Sequence, residues 1–145
     1  MGGGGLSRLH PAGGGCGCCL RGEENLWEHA EFTGWTVDGG YADALTVPES
    51  FAVTLPETLG DLEAAPLLCA GAVGYRALRI AGIRDGEPLG LAGFGSSGHI
   101  VLQLARHLHP QSGVYVFARN AEERAFALEL GAGWCDFSNA VAARS

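Results

Sequence analysis

The sequence predicts an α/β protein in which a β-rich segment precedes the first half of a doubly wound parallel sheet. Three observations carry that expectation. Short alternating apolar runs bounded by Gly and Pro fill residues 34–56, and from residue 89 onward strand-like apolar runs alternate with helix-period segments. At the first of those strand-to-helix junctions stands a glycine-rich turn, Gly93-Phe94-Gly95-Ser96-Ser97-Gly98.

Composition narrows the partners. The 145 residues are 47% hydrophobic and 17% charged, and no uncharged apolar run reaches the roughly 18 residues of a membrane helix. A formal net charge of -7 supplies no positive field for a phosphate backbone, so nucleic acid is not an expected partner. Three of the five cysteines, Cys16, Cys18 and Cys19, crowd into four positions and fit no simple disulfide framework. A reducing cytoplasm is the expected setting.

The elements follow in order. Residues 1–15 hold seven glycines and few large apolar side chains, so ordering them costs more than burial returns, and a disordered tail is expected. The segment has no apolar core for a secretory signal, and Leu6 stands where a myristoylation signal needs Ser or Thr. Residues 16–56 form the β-rich segment, with strands expected at 35–37, 41–47 and 51–55 around a turn at Asp38-Gly39-Gly40. Phe51, Val53 and Leu55 alternate with Ala52 and Thr54 as in a half-buried strand.

Residues 57–87 read as connecting helices. Thr58 is placed to cap a helix through Ala65 that Pro66 closes. A second helix follows Cys69, with Val73, Ala77 and Ile80 at helical spacing and Gly82 as terminator. Residues 88–145 then alternate: strand 89–93, helix 97–108, strand 114–118, helix 121–130, and a third strand beginning at Gly133-Trp134-Cys135-Asp136. Ile100, Leu104 and Leu108 share a face of the first helix, with Val101 and Ala105 beside them. Asn120 and Glu123 resemble a capping box for the second, which Gly131 ends. The strand at 114–118, or its neighbour, is expected as an unpaired edge.

The glycine-rich turn matches the dinucleotide fingerprint. One glycine makes the turn, the next admits the pyrophosphate, and the third lets helix approach strand. Gly93, Gly95, Ser96, Ser97 and Gly98 are therefore candidate cofactor-binding residues, with the positive end of the following helix aimed at the diphosphate. About 20 residues further on, an NAD-preferring site offers Asp or Glu to the ribose hydroxyls. Here the sequence reads Phe117-Ala118-Arg119-Asn120. With no carboxylate to repel a phosphate, Arg119 is a candidate partner for a 2′-phosphate, and NADP is expected ahead of NAD.

Two further stretches carry a resemblance: Gly22-Glu23-Glu24-Asn25-Leu26, and Leu62 through Leu67-Leu68-Cys69-Ala70-Gly71 on to Gly74-Tyr75-Arg76-Ala77-Leu78. Together with the turn, in this order, the chain resembles zinc-dependent medium-chain alcohol dehydrogenases, truncated at both ends. The resemblance implies the C-terminal part of a GroES-like catalytic domain over 16–56, connecting helices over 57–87, and the first half of a Rossmann domain over 88–145. It also implies hydride transfer between a small-molecule alcohol or aldehyde and NAD or NADP, with zinc polarising the oxygen, in an enzyme that is usually homo-oligomeric. Cys69 inherits the place of a catalytic zinc ligand, but its co-ligands match nothing here. Cys16 and Cys19 take the middle two places of a four-cysteine structural zinc lobe whose outer places are Gly13 and Trp27. A zinc centre needs three or four protein donors, so the expectation is that zinc is not retained and that this chain alone is inactive. A non-catalytic nucleotide-binding or degraded fragment, and a zinc-free quinone reductase relative, are the alternatives. A redox role for Cys16-Gly17-Cys18-Cys19 is set against the absence of the strand that positions a thioredoxin-like pair. His29, His99, His107 and His109 are not spaced as a metal cluster, and Trp35 and Tyr41 fit either a substrate cleft or aromatic packing.

Overall fold

The computed structural model describes residues 4–6 and 14–136, and these form two compact units, Met1–Cys69 and Ala70–Ser145.

In the first unit, β1 (Gly4–Leu6) pairs antiparallel with β2 (Ala52–Thr54). At Gly4–Leu6 that departs from the expected disordered tail; the expectation for residues 1–3 and 7–13 lies outside the described residues. Gly5 is buried opposite Val53, and a Cβ there would lie 2.8 Å from a Leu68 methyl. The glycine whose backbone freedom argued for disorder is the residue that lets this strand close onto its neighbours. A four-residue helix α1 (Gly17–Leu20) and a 3₁₀ turn at Glu24–Leu26 follow.

The strands expected at 35–37 and 41–47 do not form. Residues 34–36 are a turn and Val37 makes an isolated bridge to Thr33. The Phe32 N–H donates to the Thr36 hydroxyl at 2.7 Å, and the Gly34 N–H to the Val37 carbonyl at 2.9 Å. Local bonds of this kind compete with a strand ladder and win where no neighbouring strand offers one. Residues 41–47 are bend and irregular chain. At 51–55 the strand is confined to β2, after a 3₁₀ turn at Glu49–Phe51.

Helix α2 spans Asp61–Pro66, with Gly60 rather than Thr58 at its N-cap. Pro66 does not close it. A π-helical turn, Leu67–Gly71, follows, and α3 (Ala72–Ala81) after that. Proline removes one i→i−4 bond and crowds the preceding turn, and widening to a π-turn is a way for the chain to get past it.

The second unit is built as expected in kind: β3 (Leu89–Ala92), α4 (Ser96–Leu108), β4 (Val114–Phe117), α5 (Ala121–Glu129) and β5 (Trp134–Asp136). The three strands are parallel in the order β3-β4-β5, with Leu91 opposite Val116 and Val116 opposite Cys135. β4 is thus central, not an edge; β3 and β5 are the edges among the described residues. Helix faces also differ from expectation. In α3 the buried pair is Gly74 and Leu78, while Val73 and Ile80 are exposed. In α4 the buried face is Val101, Leu102 and Ala105, with Leu108 exposed. Gly74 explains α3: a Cβ at this position would run into a methyl of Val101, so the two helices meet at the glycine, one residue round from Val73. The core cluster of Leu78, Phe94, Leu102, Ala105, Val114 and Val116 lies on this sheet.

Helix ends follow the expected chemistry. Gly82, at φ +63°, caps α3 in the left-handed conformation. Asn120 caps α5 by accepting from the Glu122 N–H at 2.9 Å, and Gly131, at φ +90°, follows its end. Among the described residues no helix is long and apolar enough to cross a membrane.

Candidate functional site

The glycine-rich turn joins the carboxyl end of β3 to α4. Gly93 stands at φ +90°, a region that a side chain would strain, and its N–H donates to the Phe117 carbonyl at 2.8 Å. Phe94 turns inward and is buried, edge-on to Phe126 at 6.0 Å. Gly95 is the N-cap of α4; no side chain caps this end, and nothing lies within 4 Å of where its Cβ would be. Gly98 is the opposite case. Its Cβ would fall 2.8 Å from the Gly93 carbonyl oxygen and 3.4 Å from the Phe94 ring.

The three glycines therefore meet three different steric demands: a left-handed turn, open space, and close approach of helix to turn. Those are the demands of a backbone that wraps a diphosphate. The first turn of α4 carries no acidic residue and its last turn holds Arg106 and His107, so the uncapped N–H groups and the helix dipole favour an anion at the Gly95 end. His99 turns its Nδ1 back to the Gly95 carbonyl at 3.2 Å, packs near Phe126 and joins no other histidine.

Across from this turn lies the one that follows β4. Ala118 is buried and Arg119 exposed. The Arg124 guanidinium donates from Nη1 to the carbonyls of Ala118, at 2.8 Å, and Arg119, at 2.7 Å, which pins the segment that presents Arg119. Sequence reasoning missed Arg124. A cation in the first helical turn after an Asn cap was the available signal, since it sits where it can reach back to the preceding loop. The two turns border a groove of about 780 Å³ lined by Gly93, Gly95, Phe117, Arg119, Asn120 and Glu123, among others. No ion pair to Arg119 forms among the described residues. On the other side of the turn, a cleft of about 450 Å³ is bordered by Val73 and Ala77 of α3, β3 and the start of α4.

Of the candidate metal residues, Cys16 and Cys19 meet, and Cys69 does not join them in a group of three among the described residues. Cys69 is exposed within the π-turn. Cys16 and Cys19 are half-buried with their sulfurs 2.9 Å apart, and Cys16 caps α1 by accepting from the Cys19 N–H at 3.3 Å. The hydrogen bond between the two thiols holds that of Cys16 below its ordinary range and pushes that of Cys19 up. Burial raises the Cys135 thiol, against the opposing charge of Arg124. Among the described residues no group of three or more His, Cys, Asp or Glu could hold a metal ion. Trp35 and Tyr41 are both largely exposed, with Trp35 at 6.3 Å from the Phe32 ring.

The sequence and the fold have counterparts in known proteins. No protein-family model matches the sequence. A probable alcohol dehydrogenase of Mycobacterium tuberculosis, AdhA, is 47% identical over 128 residues, which cover 88% of this chain and 36% of that protein. A cinnamyl alcohol dehydrogenase of Sorghum bicolor is similar in structure, with a TM-score of 0.84 and 31% identity over 96% of this chain and 42% of the other. The chain belongs to the zinc-dependent medium-chain alcohol dehydrogenase family. It spans well under half the length of these relatives. A further family structure, CAD from Helicobacter pylori in complex with NADP(H), superposes with a TM-score of 0.82 at 27% identity, covering 92% of this chain and 40% of that one. What the chain shares with these dehydrogenases is an α/β fold containing a parallel sheet.

Proposed function

We propose that the second unit is the start of a Rossmann domain and binds a nicotinamide dinucleotide, NADP(H) in preference to NAD(H). The observation that carries this is the division of roles among Gly93, Gly95 and Gly98. Open space at Gly95 beside an uncapped helix end fits a diphosphate, and the groove running from there to Arg119 fits the adenosine half. In this reading Ser96, Ser97 and Gly98 offer backbone N–H donors, and Arg119 pairs with the 2′-phosphate. Arg124 keeps Arg119 in position. Bound there, the cofactor supplies or accepts a hydride, which in the intact enzymes passes between it and an alcohol or aldehyde.

Residues 16–56 belong, in the same reading, to a GroES-like catalytic domain with a degraded structural-zinc lobe, and the helices of 57–87 connect it onward. The donor sets do not fit zinc. Among the described residues Cys69 belongs to no group of three or more His, Cys, Asp or Glu, and Cys16 and Cys19 supply two sulfurs where Gly13 and Trp27 stand at the remaining places. The chain by itself therefore binds cofactor without turning over alcohol, in a cytoplasmic setting; homo-oligomerisation is a property proposed for the intact relatives.

The test is a fluorescence titration with NADPH and NADH of the wild-type chain and Arg119→Asp. A charge-assisted bond of about 1.5–3 kcal/mol gives the wild type a tenfold to hundredfold preference for NADPH, which the aspartate removes or reverses. Equal binding of the two cofactors, unchanged by the substitution, overturns the assignment. Metal analysis and an alcohol oxidation assay on the same sample are expected to give substoichiometric zinc and no rate. One tightly bound zinc per chain, or turnover lost in Cys69→Ala, contradicts the reading of the donor sets.

A further inference from the structure

We propose that Cys16 and Cys19 form a reversible dithiol–disulfide site. The two sulfurs are 2.9 Å apart. A disulfide bond is about 2.05 Å long, so closure needs movement of less than an ångström. The backbone is already arranged for it. Cys16 sits at the extended N-cap position, φ -83° and ψ 162°, which folds its side chain back over the first turn of α1, where the Cys19 N–H meets it. A cysteine inside the helix would instead point along the surface, with its i+3 neighbour farther off.

The surroundings permit the change. α1 is four residues long and has no buried side chain, so a small adjustment of this turn disturbs no core. Both cysteines are half-buried, which leaves a path for a reagent. The third thiol is kept apart: the Cys18 sulfur faces the Arg21 guanidinium at 3.8 Å, and no bond from it to either neighbour forms. The sequence-based objection was that no strand precedes the pair. Here the N-cap geometry of Cys16 and the Cys19 N–H do the positioning that a strand would do.

The oxidant is a small-molecule disulfide. One cysteine of the pair, as thiolate, attacks a sulfur of the reagent, forms a mixed disulfide and expels one reagent thiolate. The other cysteine then attacks the protein sulfur of that mixed disulfide, which forms the Cys16–Cys19 bond and expels the second reagent thiolate. The two protein thiols give up two electrons to the reagent's disulfide, and their two protons end on the two released thiols. A dithiol reductant runs the sequence backwards.

The experiment uses the full chain, reduced, stripped of metal by a chelator, and then exposed to oxidised glutathione. After alkylation of remaining thiols, peptide mass mapping is expected to find Cys16 linked to Cys19 within one chain, and dithiothreitol to remove the link. Cys18→Ser keeps the internal bond. Cys16→Ser and Cys19→Ser each stop at a glutathione adduct on the surviving partner. An internal bond that survives Cys16→Ser, a link that maps to Cys18, a covalent dimer in place of the internal bond, or no oxidation of the pair overturns the proposal.

Discussion

The two units of this chain differ in what their side chains bury. Among the described residues, Ala64 is the one buried apolar side chain of the first unit, while Leu78, Phe94, Leu102, Val116 and others form a contiguous core in the second. Both units contain large apolar residues. In the first, none of these is fully buried among the described residues: Leu20, Trp35, Tyr41 and Val53 are exposed, and Phe32, Phe51, Leu55 and Leu68 are half-buried. The difference teaches that apolar content does not make a core; periodicity does. Where apolar residues recur at strand or helix spacing, as from residue 89 onward, several elements can turn one face to a common layer. In the first unit glycine, proline and local hydrogen bonds break the period before a layer can form.

Substitutions sharpen this contrast. Leu102 is completely buried on α4, and Leu102→Ala is expected to cost about 2–5 kcal/mol in urea unfolding. A cost below about 1 kcal/mol would show that the second unit is loosely packed and that the contrast is one of appearance.

Next in size is Gly98→Ala. The added methyl lands against the Gly93 carbonyl oxygen, and over-packing of this kind costs about 1–3 kcal/mol. Because the displaced atoms belong to the proposed diphosphate loop, NADPH binding should weaken by more than the stability loss alone accounts for. Gly95→Ala separates the two effects. Its Cβ meets nothing in the protein, so stability should hold within about 0.5 kcal/mol while cofactor affinity falls. Gly95→Ala binding NADPH as well as the wild type would remove the steric argument for the site.

A chemical probe reads the same contrast at lower amplitude. Burial raises the Cys135 thiol above its ordinary range, so less of it is thiolate at neutral pH in the folded chain than in the unfolded one. Its alkylation should be slow in native protein, accelerate as pH rises toward and past the ordinary thiol range, and become fast at neutral pH in denaturant. Equal rates at neutral pH in native and denatured samples would mean that the β5 side of the sheet is open. The smallest effect is expected in the first unit: Trp35→Ala removes a side chain that is 76% exposed and should change stability by less than about 0.5 kcal/mol. A larger loss in the same unfolding measurement would reveal a core that the exposed residues conceal.

The same contrast governs how much could be read in advance. From β3 to β5 the kinds of element, their order and their bounds to within a residue or so were legible, because apolar period, an Asn cap and glycine terminators all agree there. The glycine turn was legible for the same reason, as was the placement of Arg119 at the end of the second strand of that sheet. Upstream of Pro56 the local signals conflict. The run at 35–37 has strand composition, but Thr36 and Gly34 satisfy the backbone in a turn, and the strand that does form at Gly4–Leu6 has a composition that argued for disorder.

Sequence by itself determined that this chain carries an alternating α/β half with a glycine-rich strand-to-helix turn, because element type depends on spacing and capping along the chain. Tertiary structure decided which helix face is inside. On α4 the centre shifts to Val101 and Ala105, expected beside the face, together with Leu102, while Leu104 packs at the margin of the core and Leu108 is exposed; on α3 Gly74 replaces Val73. Neighbouring residues on a helix are only a fraction of a turn apart, so several stripes satisfy the same period; the choice falls to whichever stripe has a partner of complementary shape, and at Gly74 and Val101 that partner lies on another helix.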